Sequence, residues 1–229
     1  MTGGSLIVFE GAEGVGKTTQ ARRFVDTLAQ HGIPCVHLRE PGGTSLGEAI
    51  RSVLLEPFRN VTPTAEALLF MASRAQLVSE KIRPALAAGS MVVLDRFFLS
   101  TYAYQIHARG LPEREVIAAN RLAVGDLVPA VTIVLRLPRN EGLARAGQRS
   151  GHDYMEQLGD AFHARVGDAF DEFVTPTWQT AHPECGPIVE IDARGSTDEV
   201  FERIMLAIGA HVQELGSSVG AVMTQEVAR

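Results

Sequence analysis

Leu6-Ile7-Val8-Phe9-Glu10, followed by Gly11-Ala12-Glu13-Gly14-Val15-Gly16-Lys17-Thr18, decides the fold of this chain. The first run is short, continuous and apolar, flanked by Gly4 and Gly11, which predicts a central strand buried on both faces. The next eight residues have the spacing G-x-x-x-x-G-K-T. Beyond them, Thr18 to His31 reads as a helix with Ala21, Phe24, Val25 and Leu28 on one stripe, ended by Gly32. A strand before and a helix after is the context this motif requires. Its glycines let backbone N–H groups turn toward phosphate oxygens, and the helix N-terminus adds partial positive charge. Lys17 is placed to reach β- and γ-phosphates, and Thr18 to offer a hydroxyl to Mg²⁺. Gly11, Ala12, Glu13, Gly14, Val15, Gly16, Lys17, Thr18 and Thr19 are therefore the candidate ATP-binding residues.

The same apolar character recurs in Pro34-Cys35-Val36-His37-Leu38, in Met91-Val92-Val93-Leu94-Asp95, in Val131 to Leu135 and in Ile188 to Ile191. Helical patterns separate these runs. Ser45 to Leu55 places Leu46, Ile50, Val53 and Leu54 inward, and Thr64 to Ala88 is broken near Pro84 and closed by Gly89. A final helix opens on Ser196 and Glu199 at capping-box spacing, with Val200, Ile204, Ile208 and Val212 as its stripe. Parallel strands need crossover helices, so the alternation predicts an α/β fold: a doubly wound five-stranded parallel sheet with helices on both faces. No linker or repeat divides the chain. One domain is expected over residues 1–215, with a flexible tail over 216–229.

The 229 residues suit one such domain, and an apolar content of 45% supplies a core. A net charge of −6 argues against a nucleic-acid partner, so phosphate ligands must be met by a few placed Arg and Lys residues. No apolar run approaches the ~20 residues of a membrane helix, and no basic segment precedes Leu6, so the chain reads as cytoplasmic with no membrane partner. Cys35 and Cys185 lack metal-ligand spacing and read as buried thiols of a reducing compartment.

A phosphate loop alone does not choose among kinases, GTPases and motor ATPases. The sequence has no Asn-Lys-x-Asp base-reading motif and no length for an added lid domain, which leaves a small-molecule kinase as the leading class. The third strand delivers Asp95-Arg96 to its carboxyl end, where ligands bind in open α/β sheets. Asp95 suits Mg²⁺ and its waters, and Arg96 suits a bridge between two phosphates. A structural ion pair is the alternative. In the long helix, Leu68, Leu69, Ala72 and Ala75 share one face, read as the core stripe, with Phe70 and Arg74 together on the other. That pair suits a flat polar ring, Phe stacking and Arg donating to a carbonyl. The alternative is a Phe70 packed on a neighbouring helix. After Ser100, the residues Thr101, Tyr104 and Gln105 fall on one helical face and can present a hydroxyl, a ring edge and an amide to one ligand.

These segments together resemble bacterial thymidylate kinases, within the P-loop nucleoside monophosphate kinases, over roughly residues 5–213. The carrying stretches are Phe9 to Gln20, Arg39-Glu40-Pro41-Gly42-Gly43-Thr44, Glu66 to Phe70, Arg74-Ala75-Gln76, Asp95-Arg96 and Ser100 to Gln105. The resemblance implies transfer of the γ-phosphoryl of ATP to dTMP, with Mg²⁺ held at Thr18 and Asp95. It implies that Glu13 holds the deoxyribose 3′-hydroxyl, that Phe70 stacks on thymine, and that Arg74 bonds its O4. Thr101 and Gln105 would contact the base edge, with Ser100 beside them. Arg51 and Arg96 would hold the dTMP phosphate, and Tyr104 would crowd the 2′ position. A cis Glu40–Pro41 bond and a homodimer are implied as well.

Gly14 stands where some members of that family carry a catalytic arginine. Its presence resembles the bacterial subgroup that supplies arginines from a mobile lid, here over about 142–156 with Arg145 and Arg149. Lys17, Asp95, Arg96, Arg145 and Arg149 are then the candidate catalytic residues. Four positions depart from the family pattern: Asp153-Tyr154 in the lid, Leu135-Arg136, Pro129-Ala130, and Ile106-His107-Ala108. They put donor closure in question more than chemistry, and Ile106 and His107 could reshape the acceptor pocket. Two further readings stay open: a kinase for another 5-substituted deoxyuridylate, and a nucleotide-binding regulator without turnover.

Overall fold

The computed structural model describes residues 4–56, 61–147 and 158–212. Five strands, β1 (Leu6–Glu10), β2 (Cys35–Arg39), β3 (Met91–Asp95), β4 (Val131–Arg136) and β5 (Ile188–Asp192), form one sheet in the order β2-β3-β1-β4-β5. Every neighbouring pair is parallel. The five runs read from the sequence are these five strands. β1 is buried along its whole length, as its continuous apolar run requires, whereas the edge strand β2 is only half-buried.

Side chains alternate across β1 and serve two cores. Ile7 and Phe9 pack with Val93, Ile133 and Leu135 under α1 (Lys17–Gln30) and α10 (Thr197–Val212). Leu6 and Val8 pack with Val92, Leu94 and Val134 on the other face. That face is covered by α3 (Pro63–Leu77), α5 (Phe98–Thr101), α6 (Glu113–Val124), α8 (Asp160–Phe173) and α9 (Pro176–Ala181). α10 carries the expected capping box: the Ser196 amide donates to the Glu199 carboxylate at 2.7 Å, and the Glu199 amide to Ser196 Oγ at 3.2 Å. Cys185 is buried and Cys35 half-buried, both as free thiols. Among the described residues no helix is long and apolar enough to cross a membrane.

Three local expectations are corrected. In α2 (Ser45–Leu55), Ile50 and Leu54 are buried, but Leu46 is 49% exposed, because burial along that stripe stops short of the first turn. The break expected near Pro84 comes a turn earlier, as a π turn over Val78–Ile82 before α4 (Arg83–Ala87). Pro84 brings no N–H and its ring would meet the carbonyl of Glu80 in a continuous α-helix, and a widened turn absorbs that conflict. In α3 the stripe of Leu68, Leu69, Ala72 and Ala75 is not the buried one. Leu68 and Ala72 are exposed, while Glu66, Ala67, Met71, Ser73, Arg74 and Leu77 are buried. The polar side of α3 turns inward because it walls a pocket whose polar groups partner one another. α7 (Arg139–Gly147) overlaps the start of the lid expected over about 142–156, whose remainder, 148–156, lies outside the described residues, as does the 216–229 tail.

Candidate active site

β1 lies at the point where the strand order reverses, with β3 on one side and β4 on the other. The crevice above their carboxyl ends is the expected ligand site of such a sheet. The phosphate loop leaves β1 there. Gly11 has φ +134°, and a Cβ on it would stand 2.4 Å from the carbonyl oxygen of Leu135, so only glycine lets the loop turn this close to β4. α1 starts at Gly16 (φ +99°) with no side-chain cap and no acidic residue in its first turn. Its leading N–H groups are therefore open to an anion.

Lys17 is buried, and its ammonium donates to the carbonyls of Gly11 (2.9 Å) and Ala12 (2.6 Å). Burial, helped by the neighbouring Arg96 cation, lowers its pKa to about 7 against the pull of Asp95, Glu13 and Glu10. Thr18 Oγ1 donates to Asp95 Oδ2 at 2.5 Å, and Asp95 is placed there by the register Phe9↔Asp95 between β1 and β3. Lys17, Arg22, Arg39, Arg51 and Arg96 all line this groove. The chain is acidic overall, yet its cations gather where phosphates would lie. Thr19 follows on the exposed side of the helix start.

Arg96 adopts φ 72°, the one positive φ among the described non-glycine residues. Such a conformation costs on the order of 1–3 kcal/mol unless its surroundings fix it. Glu10 fixes it. This buried carboxylate accepts from the backbone N–H groups of Phe97 (2.7 Å) and Ser100 (2.9 Å) and from the Ser100 hydroxyl (2.6 Å). Ser100 Oγ in turn accepts from Arg96 Nη1 at 2.9 Å.

Arg51, Phe70, Arg74, Arg96, Ser100, Thr101, Tyr104 and Gln105, each anticipated for an acceptor site, line one cavity together with Glu13. Phe70 thus faces the cavity, not a helix–helix seam alone. Arg74 is 2% exposed and uses all five of its N–H groups within the protein. Two go to Glu40, and one each to Thr101 Oγ1 (2.9 Å), Asn120 Oδ1 and the Phe97 carbonyl (2.8 Å). Arg51 donates to the Pro41 carbonyl at 3.0 Å, beside a Glu40–Pro41 bond that is cis.

Glu13 lines this cavity, the phosphate groove, and a third cleft beside β4. It accepts from the Tyr104 hydroxyl, stands 3.8 Å from Arg96 Nη2, and 3.7 Å from His163 Nδ1 on α8. Burial pushes its pKa up, but His163, Arg96, Lys17 and Tyr104 together hold it down to about 2. The carboxylate is therefore charged at any physiological pH and can only accept hydrogen bonds.

Other expectations do not converge on this crevice. Arg145 is exposed on α7 and lines neither the cavity nor the phosphate groove, and Arg149 lies outside the described residues, with Asp153 and Tyr154. Arg136 is tied down by Asp171, by Glu190 (3.7 Å) and by the Phe170 carbonyl (3.3 Å). Ile106 and His107 are not among the residues that line the cavity. Ile106 packs on the core, and the His107 ring lies edge-on to Phe173 at 5.4 Å. The glycine at position 14 has a physical reason: its φ is +72°, and a Cβ would sit 1.9 Å from the Gly142 carbonyl oxygen of α7.

Sequence reasoning missed the supporting residues Glu10, Glu40, Glu66, Asn120 and His163. A signal existed for Glu66. Residues 66, 70 and 74 fall at i, i+4 and i+8, so it shares the face of Phe70 and Arg74.

A phosphate loop under a helix start, a Thr–Asp pair at its end, and a second polar cavity sharing Glu13 and Arg96 with it define a P-loop kinase acting on a small acceptor. The family model described as thymidylate kinase matches residues 9–204. A thymidylate kinase of Chlorobium chlorochromatii is 44% identical over 214 residues, covering 89% of this chain and 93% of that protein. One from Synechococcus sp. (strain JA-2-3B'a(2-13)) is 47% identical over 201 residues, covering 87% and 91%. The crystal structure of thymidylate kinase from Ehrlichia chaffeensis matches with a TM-score of 0.71 at 27% identity, over 90% of this chain and 99% of that one. The chain belongs to the thymidylate kinase family.

Proposed function

We propose that this protein transfers the γ-phosphoryl group of ATP to the phosphate of dTMP, giving ADP and dTDP. One observation carries the proposal: the cavity walled by Phe70, Arg74 and Gln105 opens onto the phosphate groove through the shared residues Glu13, Arg51 and Arg96. A nucleotide lying across that junction has its base among the first three and its phosphate at the arginines. Phe70 stacks on the ring, and a carbonyl at O4 takes a share of the Arg74 Nη1 bond now held by Thr101. Thr101 and Gln105 meet the base edge, and Ser100 supports Arg96, its own hydroxyl proton being held by Glu10. Glu13, charged and acceptor-only, takes the 3′-hydroxyl, and the Tyr104 ring beside it fills the space a 2′-hydroxyl would need.

On the donor side, the loop from Gly11 to Thr19 holds the ATP phosphates, with Lys17 turning from its own carbonyls to the β- and γ-phosphates. The acceptor phosphate needs little activation, so holding the two phosphates in line supplies most of the rate. Arg96 bridges them. Arg145 and Arg149 are proposed to add positive charge from the lid. Thr18 and Asp95 form an all-oxygen pair that suits Mg²⁺, which would neutralise phosphate charge when bound. We propose a homodimer: exposed Leu46 and Leu68 lie on α2 and α3, which pack on each other. Sedimentation at micromolar concentration tests the dimer. ADP release coupled to NADH oxidation, run with dTMP, dUMP, bulkier 5-substituted analogues and no acceptor, tests the activity. Absence of dTMP-dependent turnover would overturn it.

A further inference from the structure

Gln105 is held by an ion pair on the far side of its amide. Glu66, on α3, is 2% exposed. Its Oε1 accepts from Arg109 Nε (3.2 Å) and from Gln105 Nε2 (3.1 Å), and its Oε2 accepts from Arg109 Nη2 (2.8 Å). The guanidinium lies over the Phe162 ring at 5.1 Å, where α8 begins. A carboxylate whose oxygens accept from two guanidinium N–H groups meets a further neighbour as an acceptor. The Gln105 atom facing it must then be the amide nitrogen. With the nitrogen held there, the carbonyl oxygen is the acceptor left to Gln105, which lines the cavity.

We propose that the Glu66–Arg109 pair is a specificity device that locks Gln105 as a hydrogen-bond acceptor and so selects a pyrimidine carrying a ring N–H. This rests on the acceptor site proposed above. Its chemistry is a two-point code: Arg74 shares the Nη1 donor now held by Thr101, and Gln105 presents an acceptor. A 4-oxo pyrimidine offers the complement, a carbonyl at position 4 and N–H at position 3. Cytosine offers the reverse, an amino group and a bare ring nitrogen, and would leave both walls mispaired. Sites that force buried polar groups to stay unpaired reject a wrong ligand by several orders of magnitude. Glu66 and Arg109 touch no ligand, so they act as positioning residues through Gln105.

The test compares kcat/KM for dTMP and dCMP in wild type and in Glu66→Gln. A neutral amide at 66 accepts or donates, which frees Gln105 to turn over. The expected result is a fall of at least about tenfold in the dTMP-to-dCMP ratio, carried by KM for dTMP, with KM for ATP unchanged. A lower melting temperature with the ratio intact would overturn the proposal, since a purely structural ion pair predicts that. An equal loss on both acceptors would overturn it too. If Glu66→Gln does not fold, the neutral double variant Glu66→Gln, Arg109→Met removes both charges together and is read by the same ratio. A wild type that does not prefer dTMP over dCMP is a different failure, that of the acceptor site itself.

Discussion

The acceptor cavity and the cleft beside β4 meet at Glu13 but are built differently. In and behind the cavity the charged groups are buried and matched: the side chains of Arg74 and Glu40 are 2% and 4% exposed, and Glu66 is buried against Arg109. In the β4 cleft the pairs stand in solvent. Arg194 and Asp192 are 63% and 45% exposed, and Asp171 is 60% exposed against Arg136. Buried pairs are held firmly, because removing one partner strands a charge. Exposed pairs contribute about 0–1 kcal/mol each and rearrange freely. The acceptor side is thus organised before a ligand arrives, whereas the β4 side is free to follow one.

The sharpest way to break this contrast is Lys17→Met. It should lower kcat by roughly a thousandfold, because charge stabilisation at the transferring group is lost, while dTMP binding by calorimetry stays within a few-fold. A parallel collapse of dTMP binding would mean the two sites are not independently built. Glu40→Gln should come next. It leaves the Arg74 cation without its counter-charge and should lower stability by about 3 kcal/mol in urea denaturation, with a raised KM for dTMP. Arg145→Ala should lower kcat by about a hundredfold with KM for dTMP unchanged. An unchanged kcat would remove this residue from catalysis.

A pH experiment probes the same boundary more gently. Lys17, lowered from 10.5 to about 7, is mostly neutral at pH 8 in the free protein. A bound triphosphate favours its charged form and raises the pKa again. ATP binding at pH 8 should therefore take up close to one proton through this group, and almost none at pH 6. Calorimetry in buffers of different ionisation enthalpy reads the uptake, and Lys17→Met should remove the uptake at pH 8. The smallest effect belongs to Arg136→Ala, expected to cost less than about 1 kcal/mol of stability and to leave kcat/KM within about threefold.

The contrast also separates what the sequence revealed from what it hid. Continuous apolar runs announce strands buried on both faces, so β1 to β5 were legible. The residues that line the cavity were legible too, because Phe70 with Arg74, and Thr101 with Tyr104 and Gln105, fall at helical spacing. The carboxylates behind them were not. Lone glutamates are almost never buried, and the partners of Glu10, Glu40 and Glu66 are 34 to 90 residues away in sequence. The same blindness inverted α3, whose apolar Leu68 faces out and whose charged Arg74 faces in.

The contact between Gly14 and Gly142 bears on how such proteins can change. With backbone meeting backbone there, an arginine at position 14 could not be gained in one substitution: the side chain would start inside α7. α7 must move away before the loop can carry a cation of its own. A laboratory lineage that relocates that cation should therefore acquire its changes in a fixed order, α7 first and position 14 second. The reverse order passes through a protein whose loop no longer closes.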